Sequence, residues 1–189
     1  MSILAADSES GALPETVLRW IDTDLEKARK AGRKWLVPYL HVALFSDGSN
    51  HPSNLDYRRQ LGPIFEKHGV RLVLTAHGQS YERTFPLRGL PDRIEVTSQA
   101  KDCYGASDGA VYLKVGPGGK LSNINGRFAD FKTNPPPPHT AFRDNTAHHF
   151  ARLMFEPESV RVQIIAVLRG KPAWVQDEFL YTLGSCAGR

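Results

Sequence analysis

Two apolar runs in this chain each deliver a histidine at or just beyond their C-terminal end. Trp35-Leu36-Val37-Pro38-Tyr39-Leu40 runs directly into His41, and Val70-Arg71-Leu72-Val73-Leu74-Thr75-Ala76 runs into His77. Between them lies a segment of helical character, Leu55 to His68, with Leu61, Ile64 and Phe65 at inward spacing. Continuous apolar runs separated by a helix are the pattern of parallel strands covered on both faces. Pro38 conflicts with a regular strand because proline cannot donate to a ladder. Gly62-Pro63 is expected to kink or split the second helical segment.

The remaining elements read around this unit. Ser2 to Ala6 is a short apolar stretch, expected to be a strand. Val17, Leu18, Ile21, Leu25 and Ala28 follow helical spacing, with Pro14 before them and Gly32 after. Beyond residue 80 the pattern changes to short β-like runs at Arg93 to Thr97, Ala110 to Val115, Ala151 to Phe155, Val160 to Leu168 and Glu178 to Leu183. The prediction is an α/β fold with a parallel βαβαβ portion followed by mainly antiparallel strands, in one domain over 1–189.

Composition narrows the function classes. Of 189 residues, 41% are hydrophobic and 23% charged, which are ordinary globular proportions. The formal net charge of +4 suits an anionic ligand. No basic stripe with interleaved aromatics is present, so a nucleic-acid partner is not expected. The longest uncharged apolar run, Trp35 to Ser46, falls short of the ~18 residues a membrane span needs, so no membrane partner is expected. The start of the chain has no signal-peptide pattern, and the expectation as written is cytoplasmic. Cys103 and Cys186 are too few for a disulfide scaffold. Their pairing stays open, and Cys103 has no context for a nucleophile. Gly116-Pro117-Gly118-Gly119-Lys120 fails the phosphate-loop pattern and reads as a strand-ending turn. The absence of G-x-S-x-G argues against a serine hydrolase.

His51 lies in the polar loop Ser46 to Asn54, ten residues after His41. Ligands of open α/β sheets bind at the C-terminal ends of strands, where His41 and His77 could share a metal. Spacing alone leaves these histidines open between ligands and ordinary strand-end residues. His68, His139, His148 and His149 read as capping or surface positions.

The stretch Val70 to Leu87 resembles "V-D-L-V-L-x-G-H-x-H-x-Y-E-R-T-x-P-L" of the calcineurin-like metallophosphoesterases, and in particular of the purple acid phosphatases. Trp35 to Ala43 resembles their "W-x-x-x-x-x-H-x-P", with Ala43 in place of the proline. Gly109 to Gly119 is similar to "G-x-V-Y-x-x-x-G-x-G-G", and His148 to Leu153 to "H-x-F-x-R-L". The resemblance implies the C-terminal half of an α/β/β/α sandwich and a metal-dependent phosphate ester hydrolase. It places His41, His77 and Gln79 at metal-ligand positions, Gln79 standing where the family has a second ligand histidine. It places His51 at the position of a loop histidine acting near the leaving group. The implied cofactors are divalent metal ions (Fe, Zn or Mn), and the implied partner is a phosphate ester. The family's D-x-H, G-D-x-x-[DY] and G-N-H-[DE] motifs do not occur. The expectation is therefore an incomplete dimetal site, with a missing N-terminal half or a homo-oligomer as the partner state. The alternative is a non-catalytic remnant or interaction protein of the same fold.

Overall fold

The structure is a computed structural model and describes residues 11–121 and 126–186. Two helices open the described chain. Helix α1 spans Glu15–Lys30 and begins after Pro14, whose missing N–H costs nothing there. Glu15 in its first turn and Lys27, Arg29 and Lys30 in its last complement the helix dipole. Helix α2 spans Leu55–Lys67. Asn54 caps it, its side chain accepting from the Tyr57 N–H at 2.9 Å. The expected break at Gly62-Pro63 does not divide it, and one helix runs through Pro63. The faces flanking the proline explain this. Leu61 and Phe65 are fully buried, and Gly62 lies so near Leu90 that a Cβ would stand 2.7 Å from the leucine Cβ. Tertiary packing of that face outweighs one lost backbone bond. Asp22 of α1 ties the helices together, accepting from Lys67 at 2.8 Å and meeting His68 Nε2 at 2.6 Å. Lys67 and His68 hold the Asp22 carboxyl below its ordinary value.

Ten strands follow among the described residues: β1 Leu72–Thr75, β2 Tyr81–Thr84, β3 Leu87–Arg88, β4 Glu95–Val96, β5 Cys103–Tyr104, β6 Val111–Val115, β7 Thr140–Asp144, β8 His148–Phe155, β9 Ser159–Val167 and β10 Trp174–Thr182. The first sheet has the order β1-β6-β2-β7, with β1 and β6 parallel and β2 antiparallel to β6 and β7. The second has the order β5-β10-β9-β8. Strands β3 and β4 form a small hairpin.

The run Trp35 to His41 is not the regular strand expected. It lies parallel to β1 through a single bridge, Tyr39 with Leu74. The Leu40 N–H donates to the Leu74 carbonyl, the Leu74 N–H to Pro38, and the Ala76 N–H to His41, each at 3.0 Å. Pro38 has no donor of its own, which keeps the ladder from continuing. The parallel alignment survives where the regular strand does not. The strand expected at Ser2 to Ala6 lies outside the described residues.

The layers follow from side-chain alternation. One core lies between the helices and the first sheet and includes Ile21, Leu25, Leu61, Phe65, Val73 and Tyr112. A second lies between the sheets, with Leu72, Val111 and Leu113 against Val162, Ile164 and Phe179. The described chain is thus three layers, helices on sheet on sheet. The outer face of the second sheet carries a polar ladder. Arg152 donates to Gln163, and both Gln163 and Arg161 donate to Glu178. Exposed Phe150 and Val175 flank it.

Tyr81 and Arg83 of β2 point into the core between the sheets and meet Asp177 of β10. The Tyr81 hydroxyl donates to Oδ2 at 2.7 Å. Arg83 donates through Nε to Oδ2 at 2.6 Å and through Nη2 to Oδ1 at 2.9 Å. This bidentate pair is buried on both sides. Cys103 and Cys186 form a disulfide across a separation of 83 residues, tying β5 to the segment after β10. No described helix is long and apolar enough to cross a membrane.

Two outcomes follow. Asp177→Ala strands a buried guanidinium and is expected to cost about 3–5 kcal/mol, measured by urea unfolding, with much of the loss recovered in Arg83→Met/Asp177→Leu. Cys103→Ser removes a long-loop crosslink and is expected to cost about 2–4 kcal/mol in the same measurement.

Candidate active site

Three histidine rings from three separate segments meet at the C-terminal end of β1. His41 ends the 35–41 run, His77 follows β1 by two residues, and His51 comes from the loop between that run and α2. His77 Nδ1 lies 3.0 Å from His41 Nε2. The His51 and His77 ring centroids are 3.8 Å apart, and those of His41 and His77 are 4.8 Å apart. His51 and His77 line a cleft of about 440 Å³, together with Asn50, Pro52, Asn54 and Asp56. His41 is exposed, whereas His51 and His77 are half-buried.

The turn that presents His77 is unusual. His77 has φ +67°, a left-handed conformation that a residue with a Cβ adopts at some cost. Its neighbours hold it there. The Ala76 N–H is bonded to the His41 carbonyl and the Ser80 N–H to the Gly78 carbonyl. Gly116, at the end of β6, sits so close that a Cβ would stand 1.5 Å from the Gly78 carbonyl oxygen. The Gly116 to Gly119 segment is thus the strand-ending turn expected, with a second task, because its first glycine admits the His77 turn. Gln79 is held on the same turn, its side-chain nitrogen donating to the His77 carbonyl at 2.9 Å.

A buried polar network underlies the rings. Glu82 of β2 and Lys114 of β6 are directly opposite each other across the antiparallel pair. The lysine ammonium donates to Glu82 Oε1, and it donates to Ser46 Oγ and Ser80 Oγ at 2.8 Å each. Glu82 Oε2 accepts from the Asp47 N–H at 2.7 Å. The Lys114 side chain is wholly buried. That burial pulls its pKa below the ordinary lysine value, against the opposing pull of Glu82. Next to it, the Asp47 carboxylate accepts from Arg143 at 2.7 Å and from the Thr133 hydroxyl at 2.9 Å. The loop carrying His51 is therefore fastened to both β2 and β7.

Sequence reasoning singled out the three histidines that converge, and it missed Lys114 and Glu82. The available signal was a lysine within the apolar strand Val111-Tyr112-Leu113-Lys114-Val115, a position that is expensive unless paired. The other histidines hold structure. His68 caps α2 and meets Asp22, and His139 packs against Phe45 with ring centroids 5.3 Å apart. His148 Nδ1 lies 3.0 Å from the Pro117 carbonyl, and buried His149 has Nε2 3.0 Å from Asp144. Burial and the nearby Arg58 push the His139 pKa down.

As a donor set, the histidines are partial. Two nitrogens bound to one tetrahedral zinc at ~2.0–2.1 Å stand about 3.3 Å apart, and the 3.0 Å His41–His77 separation is near that span. Among the described residues, however, no group of three or more His, Cys, Asp or Glu side chains is arranged to hold a metal ion. The described residues fit part of one metal's shell and do not fit a complete dimetal centre.

Gly116→Ala is expected to displace the His77 turn and to destabilise the chain by at least about 1–3 kcal/mol, the usual range for overpacking. Urea unfolding measures the cost, and shifted His77 ring signals in NMR spectra report the displacement.

No family profile matches the chain. Among curated proteins, it is 31% identical over 116 residues to an uncharacterised protein of Mycobacterium tuberculosis, covering 57% of this chain and 21% of that protein. It is 28% identical over 134 residues to purple acid phosphatase 1 of Ipomoea batatas, covering 69% and 27% respectively. Among solved structures it superimposes on purple acid phosphatase PPD1 from yellow lupin seeds with a TM-score of 0.72 at 18% identity, covering 92% of this chain and 29% of that one. The chain spans about a fifth to a third of the length of the curated relatives it matches.

Proposed function

Because the chain has a purple acid phosphatase-like metallophosphoesterase fold, we propose that it supplies the imidazole-bearing part of a metal-dependent phosphate ester hydrolase site. The observation that supports this most is the convergence of the His41, His51 and His77 rings at the C-terminal end of β1, where His51 and His77 line the cleft. In this reading His41 and His77 hold one divalent ion (Fe, Zn or Mn), and the oxygen of the Gln79 amide is a neutral third donor. When bound, such an ion polarises phosphoryl oxygens and lowers the pKa of water. His51, on the cleft wall, delivers a proton from its imidazolium to the departing alkoxide. Asp56 lines the cleft, but among the described residues no group of three or more such side chains is arranged to hold a metal ion, so no step is assigned to a metal pair.

One observation favours the rival reading of a non-catalytic remnant. The Gln79 amide nitrogen is engaged by the His77 carbonyl, so the residue at the second ligand position already serves the turn.

Calorimetric titration with Zn²⁺ separates these readings. The expected outcome is one ion bound per chain, with binding lost in His41→Ala and in His77→Ala; no binding by the native chain favours the remnant. Turnover of an activated aryl phosphate with Mn²⁺, Zn²⁺ or Fe is expected to be absent for the chain alone. Metal-dependent turnover that disappears in the same two variants would mean that a second chain, or carboxylates outside the described residues, completes the site.

A further inference from the structure

The buried Lys114 ammonium does more than neutralise Glu82. The Ser46 hydroxyl has one proton to donate and two lone pairs to accept with. It accepts from Lys114 Nζ at 2.8 Å and from the Gly48 N–H at 3.1 Å. Both accepting positions are thereby filled. The single proton then has two acceptors in reach: the His51 carbonyl at 2.7 Å and Glu82 Oε1 at 3.4 Å. A carboxylate is the stronger acceptor, because charge-assisted hydrogen bonds are roughly twice as strong as neutral ones. The hydroxyl nevertheless bonds the backbone, at the shorter distance, because Glu82 Oε1 already accepts from the ammonium and has the Ser80 hydroxyl 3.4 Å away.

The geometry points to Lys114 as the positioning residue for His51. By occupying Glu82 it turns the Ser46 proton onto the His51 carbonyl and so fixes the loop that carries the ring. This rests on the reading of His51 as the proton donor at the cleft. Packing agrees with it. A Cβ on Gly78 would stand 3.2 Å from Lys114 Nζ and 3.5 Å from the His51 Cβ, and a Cβ on Gly48 would stand 3.3 Å from the same Nζ. The ammonium is therefore in the angle between the His51 loop and the His77 turn, wholly buried and not among the groups that line the cleft. Ser53 adds a second clip, accepting from the Ser46 N–H at 2.9 Å and donating to the Ser46 carbonyl at 3.1 Å. That clip fixes the base of the loop and does not reach His51.

The test reads the His51 carbonyl directly. His51-Pro52 is the only His-Pro pair in the chain. Labelling histidine with ¹³C at the carbonyl and proline with ¹⁵N therefore marks one carbon by its coupling. Ser46→Ala removes the bond and calibrates the shift, which is expected upfield. Lys114→Met is expected to move the signal in the same direction, because the freed carboxylate takes the proton. Lys114→Met/Glu82→Leu is expected to return it toward the native position, since the competing acceptor is gone. A merely structural ion pair would change unfolding midpoints without this reversal. Should Lys114→Met not fold, Lys114→Leu, which also brings no donor to Glu82 Oε1, has the same expected direction. A native-like signal in the folded Lys114 variant, with a shifted one in Ser46→Ala, would overturn the assignment. Failure of the native chain to bind Zn²⁺ would count against the proposed site and would leave the carbonyl result intact.

Discussion

Strand β2 is four residues long and buried throughout, yet two of those residues are charged. Alternation sends them to opposite faces. Arg83 crosses to Asp177 in the second sheet, and Glu82 turns to Lys114 and the loop that carries His51. Burying either charge alone is costly, and each becomes tolerable only through a close partner with the remaining hydrogen bonds satisfied. The position of β2 is thus coupled to both neighbouring layers. Arg83 and Tyr81 fix how the sheets stack, and Glu82 fixes how the site loop sits on the first sheet. The Tyr-Glu-Arg-Thr stretch that carries the family resemblance is, in this structure, a fastening between layers; the groups lining the cleft come from elsewhere.

The cleft depends on that fastening in a second way. The His77 turn is left-handed at a residue that disfavours it, and a strained conformation persists only where its surroundings over-determine it. Here Gly116 presses on Gly78 from one side, the His41 carbonyl bonds Ala76, and the Lys114 network lies beneath. Three rings come together as a consequence of backbone constraints in three segments, with nothing yet required of a ligand. Such a pre-set arrangement suits a site that must hold donors at fixed separation. It also explains how a chain of this fold keeps the histidines in place while the described residues lack the carboxylates of a full dimetal centre.

Pattern reasoning reached the local elements for identifiable reasons. Helix α1 has regular apolar spacing and charges that suit its dipole, and β9 alternates with a period of two, so both were legible. Pro38 forecast the irregularity of the 35–41 run without saying how much of the parallel pairing would persist. Pro63 does not split α2, because the cost of a proline in a helix is a local quantity, whereas the burial of Leu61 and Phe65 that offsets it is supplied by distant residues.

What the sequence by itself determined was both helices, strands β1, β4, β6, β8, β9 and β10, and the candidacy of His41, His51 and His77, because these rest on short-range periodicity and on residues placed at strand ends; the short strands β2, β3, β5 and β7 carried no such pattern. What only the tertiary structure decided was which distant groups meet. The pairing of Cys103 with Cys186, of Arg83 with Asp177, and of Glu82 with Lys114 joins positions 83, 94 and 32 residues apart. Contacts of that kind are set by how sheets stack and loops close, and neither quantity is encoded in the spacing of any one segment.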